Sequence, residues 1–267
     1  MIDPALEAEY NNRAKVPGHP AVIASWVRDA AAFRSAAPHA ALDIAYGASK
    51  RQVMDIFTPE RGTTGAVALF IHGGYWQSLD KSFASHLASG LLAHGVTVAV
   101  PSYDLCPQVT VEVIAGQMQS AARFLTTRFG RLDLAIGHSA GGHLAAMLLA
   151  DELVPAALAI SGLFDLRPLV KTTVNGALGL DEAQAWRLSP RNWPQPTGAF
   201  HAVVGGREGR EYAAQSRAMA EVWGGRCDVL TEHDHFTIVG ELARGDSPMV
   251  AACRQMLAGT RKHEGGQ

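Results

Sequence analysis

The 267-residue sequence predicts an α/β protein whose central sheet is mostly parallel and covered by helices on both faces. Three observations predict this. Strand-like and helix-like stretches alternate along most of the chain. Residues 66–71 form a continuous apolar run, as a strand buried on both faces requires, and 96–100 reads as a second such strand. Finally, 48% of the residues are hydrophobic and 18% charged, enough to fill a sizeable core and too apolar for disorder.

The elements follow in order. Residues 21–37 have helical spacing, with Val22, Trp26 and Phe33 on one side and Arg28, Asp29 and Arg34 between them. Residues 41–46 and 52–58 read as strands joined by a Gly-containing turn, an antiparallel hairpin. The run 66–71 leads directly into His72-Gly73-Gly74. Residues 82–94 look helical and end at Gly95, before the strand at 96–100. A helix over 110–129 closes at Gly130, the strand 132–136 feeds Gly137, and Ala140–Ala150 is the helix that leaves it. Ala156–Ile160 is the next strand.

Residues 162–196 then interrupt the alternation, with Pro168, Pro190, Pro194 and Pro196 beside Trp186 and Trp193. This stretch is expected to form a small cap insertion over the site rather than a linker. Strands at 199–204 and Arg226–Leu230 resume the pattern, with 210–223 helical between them. Residues 247–258 are the closing helix and 261–267 a frayed tail. No internal repeat or low-complexity tract breaks the chain, so 1–267 reads as one domain.

Composition narrows the function. Net charge is −2 and the Lys and Arg residues are scattered, which argues against a nucleic-acid footprint or a polybasic membrane patch. Three cysteines, Cys106, Cys227 and Cys253, are odd in number and widely spaced, so neither a disulfide framework nor a zinc knuckle is expected. The N-terminal residues lack a basic and then apolar leader, and the longest apolar runs are only about strand length. The expectation is a cytoplasmic protein acting on a small molecule, without a membrane or nucleic-acid partner and with a homodimer as the assembly it allows. His233-Asp234-His235 could ligate a metal, but no H-E-x-x-H pattern or spaced partner cluster accompanies it, so no metal is expected.

Two motifs carry chemistry. In Gly137-His138-Ser139-Ala140-Gly141, the glycines stand where side chains would clash as the backbone turns sharply from strand to helix. That turn presents the Ser139 hydroxyl at a helix N-terminus, where the dipole favours developing negative charge. The plainer alternative is a serine that caps a helix. In His72-Gly73-Gly74-Tyr75-Trp76, the glycines allow the backbone to approach a substrate oxygen. The expected oxyanion donors are the N–H groups of Gly74, Tyr75 and Ala140. His72 is expected to anchor that loop, and His138 and His143 to pack or bond locally.

A serine nucleophile needs a base C-terminal to it, in a loop after a late strand. His235 and His233 both qualify. The acid that holds the base should follow the strand at 199–204, where Glu208 and Glu211 stand. Glu208 is favoured because Glu211 falls where a helix begins and suits its first turn. Asp165, after the preceding strand, is a third candidate, and Asp234 is too close to His235 in sequence to orient it.

With these residues in place, the chain resembles the α/β-hydrolase superfamily, and more narrowly its kynurenine formamidase (arylformamidase) branch, near the hormone-sensitive-lipase-like esterases. The resemblance rests on His72–Trp76, on Tyr103-Asp104-Leu105 with Pro107, and on Gly137–His143. It also rests on Gly205-Gly206 through Glu211-Tyr212 with Gln215-Ser216, on His235-Phe236 with Ile238-Val239, and on Glu9-Tyr10-Asn11-Asn12-Arg13. It covers nearly the whole chain. The His-Phe pair favours His235 as the base, and the resemblance implies a Ser139–His235–Glu208 triad with no cofactor. The family usually has Asp at the position of Glu208, a departure that leaves Glu208 open to Glu211 and Asp165. Tyr75, Trp76, His138, Phe164 and Trp186, with Trp193, are expected to wall an aromatic substrate pocket. The implied activity is hydrolysis of N-formylkynurenine or a related arylformamide, with a broad carboxylesterase as the alternative. A ligand-binding protein that kept the fold would instead show a broken triad or oxyanion loop.

Overall fold

The computed structural model describes residues 1–264. Its eight strands are β1 (Ala40–Ala45), β2 (Val53–Phe57), β3 (Val67–Ile71), β4 (Thr97–Pro101), β5 (Leu134–His138), β6 (Ala156–Ile160), β7 (Ala199–Gly205) and β8 (Arg226–Leu230). They form one sheet in the order β1-β2-β4-β3-β5-β6-β7-β8. The expected hairpin is present: β1 pairs antiparallel with β2, and β2 antiparallel with β4. Every later pairing is parallel, so the carboxyl ends of β3, β5, β6, β7 and β8 share one edge.

Strand residues alternate between two cores. Val67, Leu69 and Ile71 of β3 enter one, and Ala68 and Phe70 the other. The first core lies under α5 (Val111–Phe129), α6 (Ala140–Ala150) and α9 (Arg210–Val222). The second lies under α3 (His19–Ala36), the turn Ile238–Ala243 and α10 (Pro248–Glu264). Thr110 caps α5, its side chain accepting from the Val113 N–H, and Gly130 ends the helix at φ 74°.

Three segments differ from expectation. Residues 82–94 are not one helix but two 3-10 turns, Lys81–Phe83 and Ser85–Ala88, followed by the short α4 (Ser89–Leu92). Lys81 is drawn inward to Asp55 and Asp43 at 2.7 and 2.8 Å, and a Cβ on Gly90 would lie 2.2 Å from the Leu242 carbonyl oxygen. Those tertiary demands override a Ser- and His-rich stretch of modest helix propensity. The chain before residue 20 forms α1 (Pro4–Tyr10) and α2 (Asn12–Lys15), capped by the Asp3 and Asn11 side chains. Such short helices leave almost no periodicity to read. At the other end α10 continues to Glu264, into the stretch expected to fray, and residues 265–267 lie outside the described residues.

Residues 162–196 form a string of single turns that includes α7 (Asn175–Leu178) and α8 (Glu182–Arg187), the latter opened by an Asp181–Gln184 capping box. No helix of the described residues is long and apolar enough to cross a membrane.

Candidate active site

Ser139 sits where β5 becomes α6, with φ 56° and ψ −117°, a backbone conformation a side-chain-bearing residue rarely adopts. Glycine makes the turn passable. A Cβ on Gly137 would lie 1.9 Å from the Gly141 oxygen, and one on Gly141 would lie 2.1 Å from the Ile71 oxygen. The Ser139 N–H donates to the Ile160 oxygen at 2.8 Å, which ties the turn to β6. Its side chain makes no cap bond to α6, against the plain capping reading.

Ser139 instead lines a cavity of about 420 Å³ at the carboxyl ends of the strands. His138, His235, Gly74, Tyr75, Trp26 and Phe236 share that cavity. The loop after β3 reaches the same place. Gly73 passes so near the turn that a Cβ there would touch the Ser139 Cβ at 3.0 Å. Gly74, Tyr75 and Trp76 all have positive φ, at 100°, 52° and 58°. None of the Gly74, Tyr75 and Ala140 N–H groups donates a hydrogen bond among the described residues. Gly74 and Tyr75 line the cavity together with Ser139, and Ala140 follows Ser139 in the chain.

Hydroxyls and rings hold this loop. The Tyr75 OH donates to the Tyr10 carbonyl at 2.6 Å and lies 2.5 Å from the Tyr212 OH, which also accepts from Asn12 Nδ2 at 2.7 Å. His72 stacks on Tyr103 at 4.2 Å and donates from Nδ1 to the Gly73 carbonyl at 2.8 Å, consistent with its expected anchoring task. Burial pushes the His72 imidazole down to about 4.

His235 Nδ1 lies 2.6 Å from Glu208 Oε2, with both side chains nearly excluded from solvent. A carboxylate only accepts, so Nδ1 carries the proton and Nε2 keeps its lone pair. No hydrogen bond joins the Ser139 hydroxyl to His235 among the described residues, although both line the cavity. Glu208 Oε1 accepts from the Gly205 N–H at 2.6 Å and the Ser161 hydroxyl at 2.5 Å. His138 donates from Nε2 to the His235 carbonyl at 2.8 Å. Burial, and next the charge of His235, push its imidazole down to about 3.

The rival residues are engaged elsewhere. Asp165 is bound by Arg167 at 2.5 Å and faces Arg191 at 3.8 Å. Glu211 accepts from the Tyr10 OH at 3.3 Å, and His233 Nε2 lies 3.5 Å from Glu241. Asp234 Oδ1 accepts from the Phe236 and Thr237 N–H groups, shaping the loop that carries His235.

The expected pocket wall is only partly right. Tyr75 and His138 line the cavity. Phe164 does not: its ring is fully buried and meets Phe200 edge-on at 5.6 Å. Trp76 is also core, edge-on to His143 at 5.1 Å. Trp186 is 51% exposed, with the Arg167 guanidinium over its ring. From residues 162–196, only Thr173 and Val174 reach the cavity. The missing wall comes from Tyr10 and Asn12 of the N-terminal helices and from Trp26 of α3. Tyr10 and Asn12 fell within a motif of the resemblance but carried no stated role. Tyr212 likewise stands in a motif of the resemblance without a stated role, and the one signal for Ser161 in the sequence is a polar residue directly after an apolar strand.

A family model described as BD-FAE matches residues 54–153. The chain is 32% identical over 226 residues to a kynurenine formamidase of Drosophila melanogaster, covering 74% of this chain and 75% of that one. A kynurenine formamidase of Salmo salar is 27% identical over 239 residues, 81% of each chain. Among solved structures, a candidate thioesterase of Silicibacter matches with TM-score 0.88 at 34% identity, covering 94% of this chain and 98% of that one. Esterase B of Lactobacillus rhamnosis, at TM-score 0.69 and 18% identity over 94% of this chain and 98% of that one, shares the fold.

Proposed function

The chain belongs to the kynurenine formamidase family of α/β-hydrolases and is a hydrolase of amides or esters, and from that premise we propose that it cleaves an arylformamide of the N-formylkynurenine type through a serine acyl-enzyme. The observation that carries this reading is the His235–Glu208 contact at 2.6 Å, with His235 lining one cavity together with Ser139, Gly74 and Tyr75.

In this mechanism His235 Nε2 takes the Ser139 proton as Oγ attacks the formyl carbon. The Gly74, Tyr75 and Ala140 N–H groups hold the oxygen as it becomes an oxyanion, each contributing about 3 to 4 kcal/mol that is realised mainly in the transition state. Glu208 keeps the proton on Nδ1 and stabilises the imidazolium. The imidazolium then protonates the arylamine, the C–N bond breaks, and water hydrolyses the formyl-enzyme by the same route. Tyr10, Trp26, Tyr75 and Phe236 supply an aromatic wall suited to the aryl group.

A broad carboxylesterase acting on short-chain esters is the second reading; the Silicibacter relative is described as a candidate thioesterase. Comparing kcat/KM for N-formylkynurenine with that for short-chain aryl esters decides between them, and the formamide is expected to be preferred. An untouched formamide beside a rapidly cleaved ester rejects the formamidase reading. Ser139→Ala is expected to lose turnover by roughly four or more orders of magnitude and to resist labelling by a fluorophosphonate. Labelling of that variant rejects Ser139 as the nucleophile.

A further inference from the structure

We propose that Ser161 is a positioning residue for the reaction: its hydroxyl locks one oxygen of Glu208 so that the other is presented to His235. The inference rests on the assignment of Glu208 as the acid in the proposed function.

A glutamate carboxylate stands at the end of three rotatable bonds, one more than the aspartate usual in this family. Its two oxygens are chemically equivalent until something distinguishes them. In this protein the distinction is complete. Oε1 receives the Ser161 hydroxyl at 2.5 Å and the Gly205 N–H at 2.6 Å, while Oε2 receives His235 Nδ1 at 2.6 Å. The Glu208 side chain is 1% exposed, so water cannot hold it.

The surrounding backbone is shaped for these contacts. Gly205 approaches so closely that a Cβ there would lie 2.9 Å from Glu208 Oε1 and 2.5 Å from the His233 oxygen. Ser161 follows β6 directly, with φ 51° and its N–H bonded to the Val203 oxygen at 2.7 Å. A serine held at positive φ beside a parallel strand is conformationally costly. Its hydroxyl has Glu208 as its hydrogen-bond partner among the described residues. Ser161 does not line the cavity, so its influence on turnover runs through Glu208.

Removing a hydrogen bond to a buried carboxylate is expected to lower kcat roughly ten- to a hundredfold in Ser161→Ala, with KM within about twofold of the parent. Ser161→Gly accepts positive φ without strain and is expected to show the same loss, which guards against a folding defect in the alanine variant. In a Glu208→Gln background, Ser161→Ala is expected to add less than about a further twofold, because the group through which it acts is gone. The downfield Nδ1–H proton resonance of His235 should weaken in Ser161→Ala and persist in the parent. Either folded Ser161 variant with parental kcat overturns the proposal, as does a loss that multiplies with that of Glu208→Gln. An active Ser139→Ala would reject the serine acyl-enzyme reading on which the proposal rests. An inactive Ser139→Ala beside fully active Ser161 variants would reject only the role of Ser161.

Discussion

The two ends of the parallel strands make an instructive pair. At the carboxyl ends lies the 420 Å³ cavity, and at the amino ends a groove of about 930 Å³ bordered by Asp133, Pro155, Gly198, His201 and Arg226. The groove is the larger, yet the buried Asp133 and His201 on its border are both paired. Asp133 accepts from the Val67 N–H at 2.8 Å and from Arg131, and His201 bonds Asp228 at 2.8 Å. At the cavity, by contrast, the lining residues Tyr75, Leu79 and Ser139 are held at positive φ, against Glu152 alone among the non-glycine residues lining the groove. The Gly74, Tyr75 and Ala140 N–H groups have no acceptor among the described residues. Under the proposed function, volume does not mark the chemistry in this protein; backbone strain and unpaired donors do, because both are costly unless something is bound or transformed there.

The comparison can be tested at three strengths. The largest effect is expected from Glu208→Gln. Losing the orienting carboxylate should reduce kcat by roughly 10³- to 10⁴-fold while leaving thermal unfolding near the parent. Near-normal turnover would move the acid's task to Glu211 or Asp165 and dissolve the contrast between the two ends.

Next is acid sensitivity. Burial holds His72 and His143 at about 4 and His138 at about 3, below the ordinary 6.5, and all three surround the strands' carboxyl ends. Between those values the unfolded chain binds protons that the folded protein refuses, so stability rises with pH across that window. The contribution is full above pH 6.5 and is lost as pH falls through 4 towards 3. Urea midpoints measured from pH 7 downwards should begin to decline between about 6.5 and 5, above the range in which most carboxylates titrate. A flat midpoint across that interval would refute the buried, neutral histidines.

The smallest effect is expected at the groove. Gln255→Ala lies on its border, and kcat/KM should change less than about twofold. A large loss would show that the amino-end groove takes part in the reaction after all.

How much was legible follows from range. The turn at Ser139 could be read because its glycines, apolar strand and following helix lie within some 20 residues of one another, and each constraint is steric and local. The oxyanion loop was readable for the same reason. The helix expected at 82–94 failed because Lys81 answers to Asp55 across the sheet rather than to its own neighbours. The pocket wall failed because aromatic type says nothing of direction: Phe164 turned into the core, Trp186 turned outwards, and Tyr10 and Trp26 arrived from the far N-terminus.

Sequence alone determined the mostly parallel sheet, the serine turn, the loop of unpaired donors and the family, since each rests on short patterns whose geometry is dictated by backbone sterics and hydrophobic periodicity. Only the tertiary structure decided which carboxylate meets His235, what holds that carboxylate, and which side chains enclose the cavity. Glu208, Ser161 and Tyr10 come from segments scattered along the chain, and hydrogen bonds between such segments are chosen when the whole sheet closes.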